Sequence, residues 1–324
     1  MRTAFYPTDF RQLDETKEKS DSFGQRYAAT IGFFDGVHQG HNYVIRQLCQ
    51  LAAQRSLQPM VITFERHPRQ VLQSDWQPQL LTTLEEKTQL LGLTGIEWLT
   101  ILQFDRSMSQ LSSQQFMSQV LKRDLHVDLL LTGYDNRFGH DRTSTFSDYV
   151  DYGRQLGIEV VAGQPLDVDS LRVSSSLIRR LLTEGRVREA TACLGRPYSL
   201  RGKVVHGQQI GRRLGFPTAN IVPTDSTRLV PAPGVYAVRI MMDADHSTCY
   251  QGMMNIGTRP TFDGHRQTLE ANIFDFIGDL YGCELTVSFI ERLRDERPFQ
   301  SAEALAEQMR QDGDRAREIL QVVN

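Results

Sequence analysis

The feature that most constrains this chain is a short stretch, Gly-Phe-Phe-Asp-Gly-Val-His-Gln-Gly-His, running from Gly32 to His41. An apolar run, Tyr27-Ala-Ala-Thr-Ile31, precedes it, and a helix-like run from Asn42 to Arg55 follows. In that second run Val44, Leu48 and Leu51 recur at three- and four-residue spacing, which gives a helix one apolar face. Met60-Val-Ile-Thr-Phe64 then reads as a second strand. Strand, loop, helix and strand make a βαβ unit, and such units bind ligands where the strand ends and the helix begins.

The chemistry of the loop follows from its residues. A helix N-terminus offers free backbone N–H groups and partial positive charge, which suit a phosphate. Gly32, Gly36 and Gly40 allow close backbone approach or positive φ. His38 and His41 can face one anion and donate to phosphoryl oxygens as charge develops. Taken singly, a Gly-rich turn or a histidine has an ordinary structural explanation. The HxGH pair between strand and helix is what points to phosphate chemistry. The GxGxxG dinucleotide fingerprint is absent, and no Gly-Lys-Ser/Thr follows to make a Walker A loop.

The rest of the first half alternates in the same way. Glu65-Arg-His-Pro68 closes the second strand at the same ligand edge, with His67 biased to extended backbone by Pro68. A surface loop with an ordinary histidine is the competing reading. A helix from Leu84 to Leu93 is capped by Thr82 or Thr83, with acids in its first turn. Strands at Trp98–Phe104, Val127–Thr132 and Ile158–Ala162 are separated by helices at Gln110–Leu125 and Phe146–Leu156. This is the pattern of a parallel sheet with helices on both faces. Residues 11 to 26 are polar and read as an exposed loop or short turn. In Arg172-Val-Ser-Ser-Ser-Leu-Ile-Arg-Arg180, serines before Leu-Ile read as a helix cap, and capping alone accounts for them.

Near Thr183-Glu-Gly-Arg186 the character changes, which divides the chain into 1–183 and 184–324. A short helix, Val187–Leu194, is followed by strand-like runs at Tyr198–Val205, Val235–Met242, Cys249–Asn255, Leu269–Phe276 and Leu285–Arg292. Asp243-Ala-Asp-His246 links the second and third as a hairpin. Short, evenly spaced strands predict an antiparallel barrel, and Ser301 onward predicts a capped terminal helix. Between the first two strands lies His206-Gly-Gln-Gln-Ile-Gly-Arg-Arg-Leu-Gly-Phe-Pro-Thr-Ala-Asn220. Gly207, Gly211 and Gly215 make a phosphate-sized loop, and Thr218 and Asn220 offer hard oxygens on alternate residues. Mg²⁺ needs few protein oxygens when phosphates supply the rest. As a lone Gly-rich loop, however, a plain hairpin connection would explain it. Glu270, in a strand otherwise apolar, is either a functional carboxylate or an outward-facing acid.

Composition excludes several classes. The 324 residues suffice for two cores. A net charge of −3 gives no global basic field for nucleic acid, and no apolar run is long enough to span a membrane. The N-terminus lacks the apolar core of a signal peptide. Cys49, Cys193, Cys249 and Cys283 lie far apart, without metal or disulfide-framework spacing, so a cytoplasmic location is expected.

The longer motif GxFDGxHxGH, with TFxxHP, resembles the bacterial bifunctional riboflavin kinase/FMN adenylyltransferase (FAD synthetase) family. The segment RVSSSLIR is similar to its ISSTxIR, and GRxLGFPTAN to its riboflavin kinase signature. Pro233-Gly-Val-Tyr236, Asn255 to Phe262, Asp279-Leu-Tyr-Gly282 and Arg294 to Phe299 also match. The resemblance implies a Rossmann-like nucleotidyltransferase domain followed by a β-barrel kinase domain with a terminal helix. It implies that Gly32, Phe33, Asp35, Gly36, His38 and His41 serve ATP in the first domain, with Asp135, Arg172, Ser174, Ser175 and Arg179. His67, Arg137 and Phe138 fall on its flavin side. In the kinase it implies Gly207, Gly211, Gly215, Thr218 and Asn220 for ATP, the last two also for Mg²⁺. Glu270 is then the catalytic base, flanked at the flavin by Arg294 and Glu296. The substrates implied are riboflavin, FMN and ATP. Asn136 departs from a usual Phe, and Asn272 stands where many relatives have His. Two alternatives stay open: an adenylyltransferase whose barrel merely stores flavin, and an oligonucleotide-binding barrel on an α/β scaffold.

Overall fold

The computed structural model describes residues 1–6, 25–73, 75, 77–133, 138–140, 144–168, 171–207, 215–242, 245–261 and 264–322. They form two compact units, Met1–Val173 and Ser174–Asn324.

In the first unit the elements run β1 (Arg2–Tyr6), β2 (Tyr27–Ile31), α1 (Gln39–Gln54), β3 (Gln58–Phe64), α2 (Pro68–Leu72), α3 (Leu84–Gly92), β4 (Trp98–Leu102) and α4 (Arg106–Ser109). They continue with α5 (Ser113–Gln115), β5 (Val127–Thr132), α6 (Phe146–Leu156), β6 (Glu159–Ala162) and the small hairpin β7 (Asp167–Val168) and β8 (Leu171–Arg172). The sheet order is β1-β4-β3-β2-β5-β6, every neighbouring pair parallel. β2 is buried along its whole length, Ala28 facing one core and Ala29 and Ile31 the other. That two-sided burial is why its sequence is a continuous apolar run. From β2 the chain winds outward through β3 and β4, then returns to β5 and winds the other way. The carboxyl end of β2 therefore sits at a topological switch point, where open α/β sheets hold their ligands.

Two elements differ from the sequence reading. β1 was not anticipated: its pairing with β4 is a tertiary contact, and Phe5 is exposed on this edge strand. The helix expected over Gln110–Leu125 is split into α5, with a capping box between Ser112 and Gln115, and a π-helix over Phe116–Asp124.

The second unit holds α7 (Ser175–Thr183), α8 (Val187–Leu194), β9 (Tyr198–Val205), β10 (Ala219–Pro223), β11 (Gly234–Met242), β12 (Asp245–Thr261), β13 (Gly264–Ile273), β14 (Glu284–Arg294) and α9 (Ala302–Val322). The units divide between Val173 and Ser174, so α7 falls on the barrel side of that division; the sequence reading draws its line at 183/184. Within its unit α7 packs on α8, and Ala232 donates its N–H to the Leu182 carbonyl at 3.0 Å.

The strands close into an antiparallel barrel, order β10-β13-β12-β11-β14-β9. The sixth strand, β10, starts at the end of the Gly-rich segment and completes the closure by pairing with β9 and β13. β11 and β12 pair as expected, and residues 243–244 of their connection lie outside the described residues. Tyr236, Val238, Ile240, Met254, Ile256 and Phe289 fill the barrel interior. The alternate residues form a second core outside the wall: Val235, Ala237, Met253 and Ile290 pack against Ala316 and Leu320 of α9. The period-2 alternation of a strand thus serves two cores here.

Candidate active sites

In the first unit the chain leaves β2 into a loop of unusual backbone. Phe34, Gly36 and Val37 all have positive φ, at 53°, 83° and 37°. For a β-branched valine this is a strained state, and such states persist where the surroundings fix them. Here the fixing group is Asp35, almost fully buried. Its Oδ1 accepts from the N–H groups of Leu81 and Thr82 at 3.0 and 3.1 Å, and Oδ2 from Leu81 at 3.1 Å. Thr82 Oγ1 in turn accepts from the Gly36 N–H at 3.0 Å. In this geometry Asp35 shapes the loop from beneath.

The loop ends on His38, the N-cap of α1, whose Nδ1 accepts from the His41 N–H at 3.2 Å. That bond puts the proton of neutral His38 on Nε2. The two imidazoles stack, centroids 3.6 Å apart and 16° from parallel, and the edge of Phe34 meets His41 at 5.0 Å. Gly40 makes room for the stack: a Cβ there would lie 3.1 Å from His38 Nδ1 and 3.3 Å from the Val173 carbonyl. His41 Nδ1 has no hydrogen-bond partner among the described residues. Loss of solvation, with the His38 and Lys87 charges, holds the His41 pKa well below its usual 6.5, so the ring is neutral at pH 7. A neutral, immobilised imidazole at a helix N-terminus is a donor prepared for phosphoryl oxygen.

Two further predicted residues meet here. His67 caps α2, its Nδ1 accepting from the Arg69 N–H at 3.1 Å, and its ring meets Phe33 edge-on at 4.6 Å. Lys87, which sequence reasoning passed over, is buried on α3. Its Nζ donates to the carbonyls of Phe33 at 3.1 Å and Phe64 at 2.9 Å, and lies 4.1 Å from the Phe33 ring centre. Its position was legible: Leu84, Lys87 and Leu91 share one helix face, and the other two are apolar.

Phe138 stacks on Tyr149 at 4.4 Å and packs against the sheet core, so it anchors its segment. Arg172 is exposed and faces Asp167 at 3.6 Å. Asp135 and Arg137 lie outside the described residues, as does Gly211 of the barrel. In the second unit Ser174 caps α7, accepting from the Leu177 N–H at 3.2 Å, with Ser175 and Arg179 in the turns that follow.

The barrel's site lies on its outer face. Glu270 is central in β13, not at its start. It stands opposite Asn220 on β10 and Asn255 on β12, so three polar side chains form one cross-strand row. Thr218, Asn255, Thr268, Glu270 and Asn272 line a cavity of about 500 Å³ between the barrel wall and α9. Residues 296–299 and the α9 face of Leu305, Met309 and Asp312 complete it. Half apolar with a few convergent polar groups, it has the make-up of a small-molecule site. Asn272 Nδ2 donates to the Pro217 carbonyl at 2.7 Å, tying β13 to the residue before Thr218. Arg294 donates through Nε and Nη2 to Asp312 Oδ2 at 2.9 and 2.8 Å, and Gln308 donates to Oδ1 at 2.9 Å. Arg294 thus fastens α9 as the far wall of the cavity. Removing one partner of a buried pair costs about 3–5 kcal/mol. Asp312→Ala is expected to destabilise this unit by that order, read as loss of barrel structure at lower urea concentration.

For a divalent cation the donor set is the Thr218 hydroxyl and the Asn220 carboxamide, with the Glu270 carboxylate one strand away. No cluster of three or more His, Cys, Asp or Glu suited to a metal occurs among the described residues. Hard oxygens in small number fit Mg²⁺ carried with substrate phosphates, not a transition-metal centre. Gly207 cradles the Asn220 amide: a Cβ there would meet Asn220 Nδ2 at 2.1 Å. Gly207→Ala is therefore expected to displace a side-chain end without breaking the fold. Its effect should be a raised KM for magnesium-ATP in phosphoryl transfer, with near-parental thermal stability.

A histidine-bearing loop at the switch point of a parallel sheet, and a cavity lined by Glu270 and neighbouring polar groups on a barrel's outer face, have the make-up of a two-module small-molecule enzyme. Residues 20–177 match the family described as FAD synthetase, and residues 194–320 the family described as riboflavin kinase. A bifunctional riboflavin kinase/FMN adenylyltransferase of Escherichia coli K12 is 37% identical over 290 residues, 90% of this chain and 91% of that protein. Its counterpart in Bacillus subtilis is 36% identical, over 87% of this chain and 89% of its own. A crystal structure of a macrolide-efflux protein from Streptococcus pneumoniae aligns with a TM-score of 0.83 and 31% identity, over 97% of this chain and 98% of that one. The efflux name has no counterpart here in one respect: among the described residues no helix is long and apolar enough to cross a membrane.

The chain belongs to the bifunctional riboflavin kinase/FMN adenylyltransferase family. It phosphorylates riboflavin to FMN and joins AMP from ATP to FMN, giving FAD and pyrophosphate, with ATP as co-substrate of both steps.

Proposed function

We propose that the two reactions are divided between the α/β unit and the barrel, with the residues above in distinct roles. The observation that carries this reading is the pair of unlike sites: stacked histidines at a helix N-terminus in one unit, and the Asn220–Glu270–Asn255 row in the other.

In adenylyl transfer the FMN phosphate is already an anionic nucleophile, so no covalent enzyme intermediate is needed. His38 and His41 donate to the phosphoryl oxygens as charge builds, and the N–H groups opening α1 add their dipoles. Gly32 and Gly36 let the backbone come close, and Asp35 holds the loop's shape. His67 faces the flavin nucleotide, its ring steadied by the edge contact with Phe33. The resemblance gives Asp135 and Arg172 to the same triphosphate, a guanidinium being suited to the leaving pyrophosphate.

In phosphoryl transfer Glu270 takes the proton of the ribityl terminal hydroxyl. Asn220 and Thr218 would hold Mg²⁺, which would supply positive charge to offset that of the substrate phosphates. The resemblance gives Gly207, Gly211 and Gly215 to the ATP of this reaction. Glu296 and Arg294 border the flavin. Positioning and charge neutralisation supply most of the rate in such transfers. The four cysteines, all free, fit a reducing cytoplasm.

The direct test is a pair of variants, His41→Ala and Glu270→Gln, each assayed for both reactions. Loss of both activities in either folded variant would refute the division.

A further inference from the structure

Lys87 is the one buried lysine among the described residues, and the site chemistry above does not use it. Its surroundings are specific. Phe33 follows β2 and Phe64 ends β3, so the two carbonyls that Nζ bridges belong to neighbouring parallel strands at their ligand edge. One carbonyl precedes the loop that leads to His38 and His41. The other lies three residues before His67. The Phe33 ring sits between the ammonium, at 4.1 Å, and His67, at 4.6 Å. Thr63 Oγ1 also donates to the Phe33 carbonyl at 3.1 Å, so the strand end keeps a partner if the lysine is lost. Neutral strand-end carbonyls can be satisfied by hydroxyls or amides; a buried ammonium is a costlier choice.

We propose that Lys87 is a positioning residue for adenylyl transfer: its buried positive charge clamps the phosphate-loop strand to the flavin-side strand and fixes the spacing of the two substrates. The proposal rests on the assignment of His38, His41 and His67 to that reaction. In the clamped state Phe33 cannot swing, and the loop keeps its positive-φ path toward the histidines.

Among the described residues, Asp35 from the loop and His41 at the start of α1 interact with the Lys87 charge; Glu86 is its neighbour on α3, and His67 meets the Phe33 ring that the ammonium also approaches. Asp35 is held by backbone amides, and the Glu86 carboxylate is bound to the Thr83 N–H at 2.8 Å. Burial lowers the Lys87 pKa from 10.5 to about 8, against an opposing pull from Asp35. The ammonium is therefore present below that pH and lost as pH rises through it.

The test uses the full chain and its own kinase reaction as internal control. Lys87→Met keeps the length and removes the charge. The expected result is a fall of roughly 10²-fold in kcat for FAD formation from FMN, the scale of loss when reacting groups shift by about 1 Å. KM for ATP should change little and the riboflavin kinase rate not at all. Parental FAD formation should decline above pH 8, and that alkaline limb should vanish in the variant. A folded Lys87→Met protein with parental kcat, or one that keeps the alkaline limb, overturns the proposal. If Lys87→Met does not fold, Lys87→Gln is judged by the same two criteria. His41→Ala separates the levels: if it leaves adenylyl transfer intact the site assignment fails, and if it lowers that rate while the Lys87 variants keep the parental rate the clamp alone fails.

Discussion

A His41→Ala protein is expected to form FAD from FMN at least ~10²-fold more slowly, the scale of losing one preorganised donor to developing charge. It should still phosphorylate riboflavin at the parental rate. The structure explains why the loss should fall on kcat. His41 is immobilised by the stack on His38 and the edge of Phe34, and burial keeps it neutral. Its unpartnered Nδ1 marks a ring that the fold places without satisfying, at a cost of about 1–3 kcal/mol for a buried polar atom. Groups left unsatisfied inside a strained loop are characteristic of functional sites. The methyl side chain of alanine removes the donor but leaves the cap, because the N–H that bonds His38 Nδ1 belongs to the backbone. A folded variant with parental adenylyl transfer would remove His41 from the reaction.

The second large effect is expected in the other unit. Glu270→Gln keeps size and shape but removes the anionic base from the centre of the Asn220–Glu270–Asn255 row. The ribityl hydroxyl would then lose its proton to water. General-base losses run at roughly 10²–10⁴-fold, so FMN formation from riboflavin should fall by that range. Riboflavin binding should weaken far less, since the amide still reaches the hydroxyl and the cavity wall is untouched. FAD formation from supplied FMN should stay near the parental rate. The variant would make FAD from FMN but hardly any from riboflavin. If neither rate falls, Glu270 is only a strand residue.

Which parts of this were legible in the sequence depends on how locally each is determined. The β2 run and the loop after it were readable because two-sided burial demands uninterrupted apolar residues and because HxGH sits at a helix start. β10 was not: Ala219-Asn-Ile-Val-Pro223 is short and polar at one end, and becomes a strand only because β9 and β13 flank it. β1 likewise exists through its pairing with β4. For Glu270, alternation fixed its face but not the meaning of that face. An outward-pointing residue on a barrel is normally solvated, whereas here α9 covers the wall and turns the outside into a cavity. The contacts of Asn272 and Asp312 were invisible because their partners, the Pro217 carbonyl and Arg294, are distant in sequence. Lys87 was visible as a charge on an apolar helix face, but its partners are backbone carbonyls, which no side-chain motif announces.

The most direct measurement is a time course of the full chain with riboflavin, ATP and Mg²⁺, following riboflavin, FMN, FAD, ADP and pyrophosphate together. The account predicts that FMN appears first with one ADP per FMN formed, and that FAD follows with one pyrophosphate per FAD. FMN that accumulates without FAD, or FAD that forms only when FMN is supplied, would contradict it.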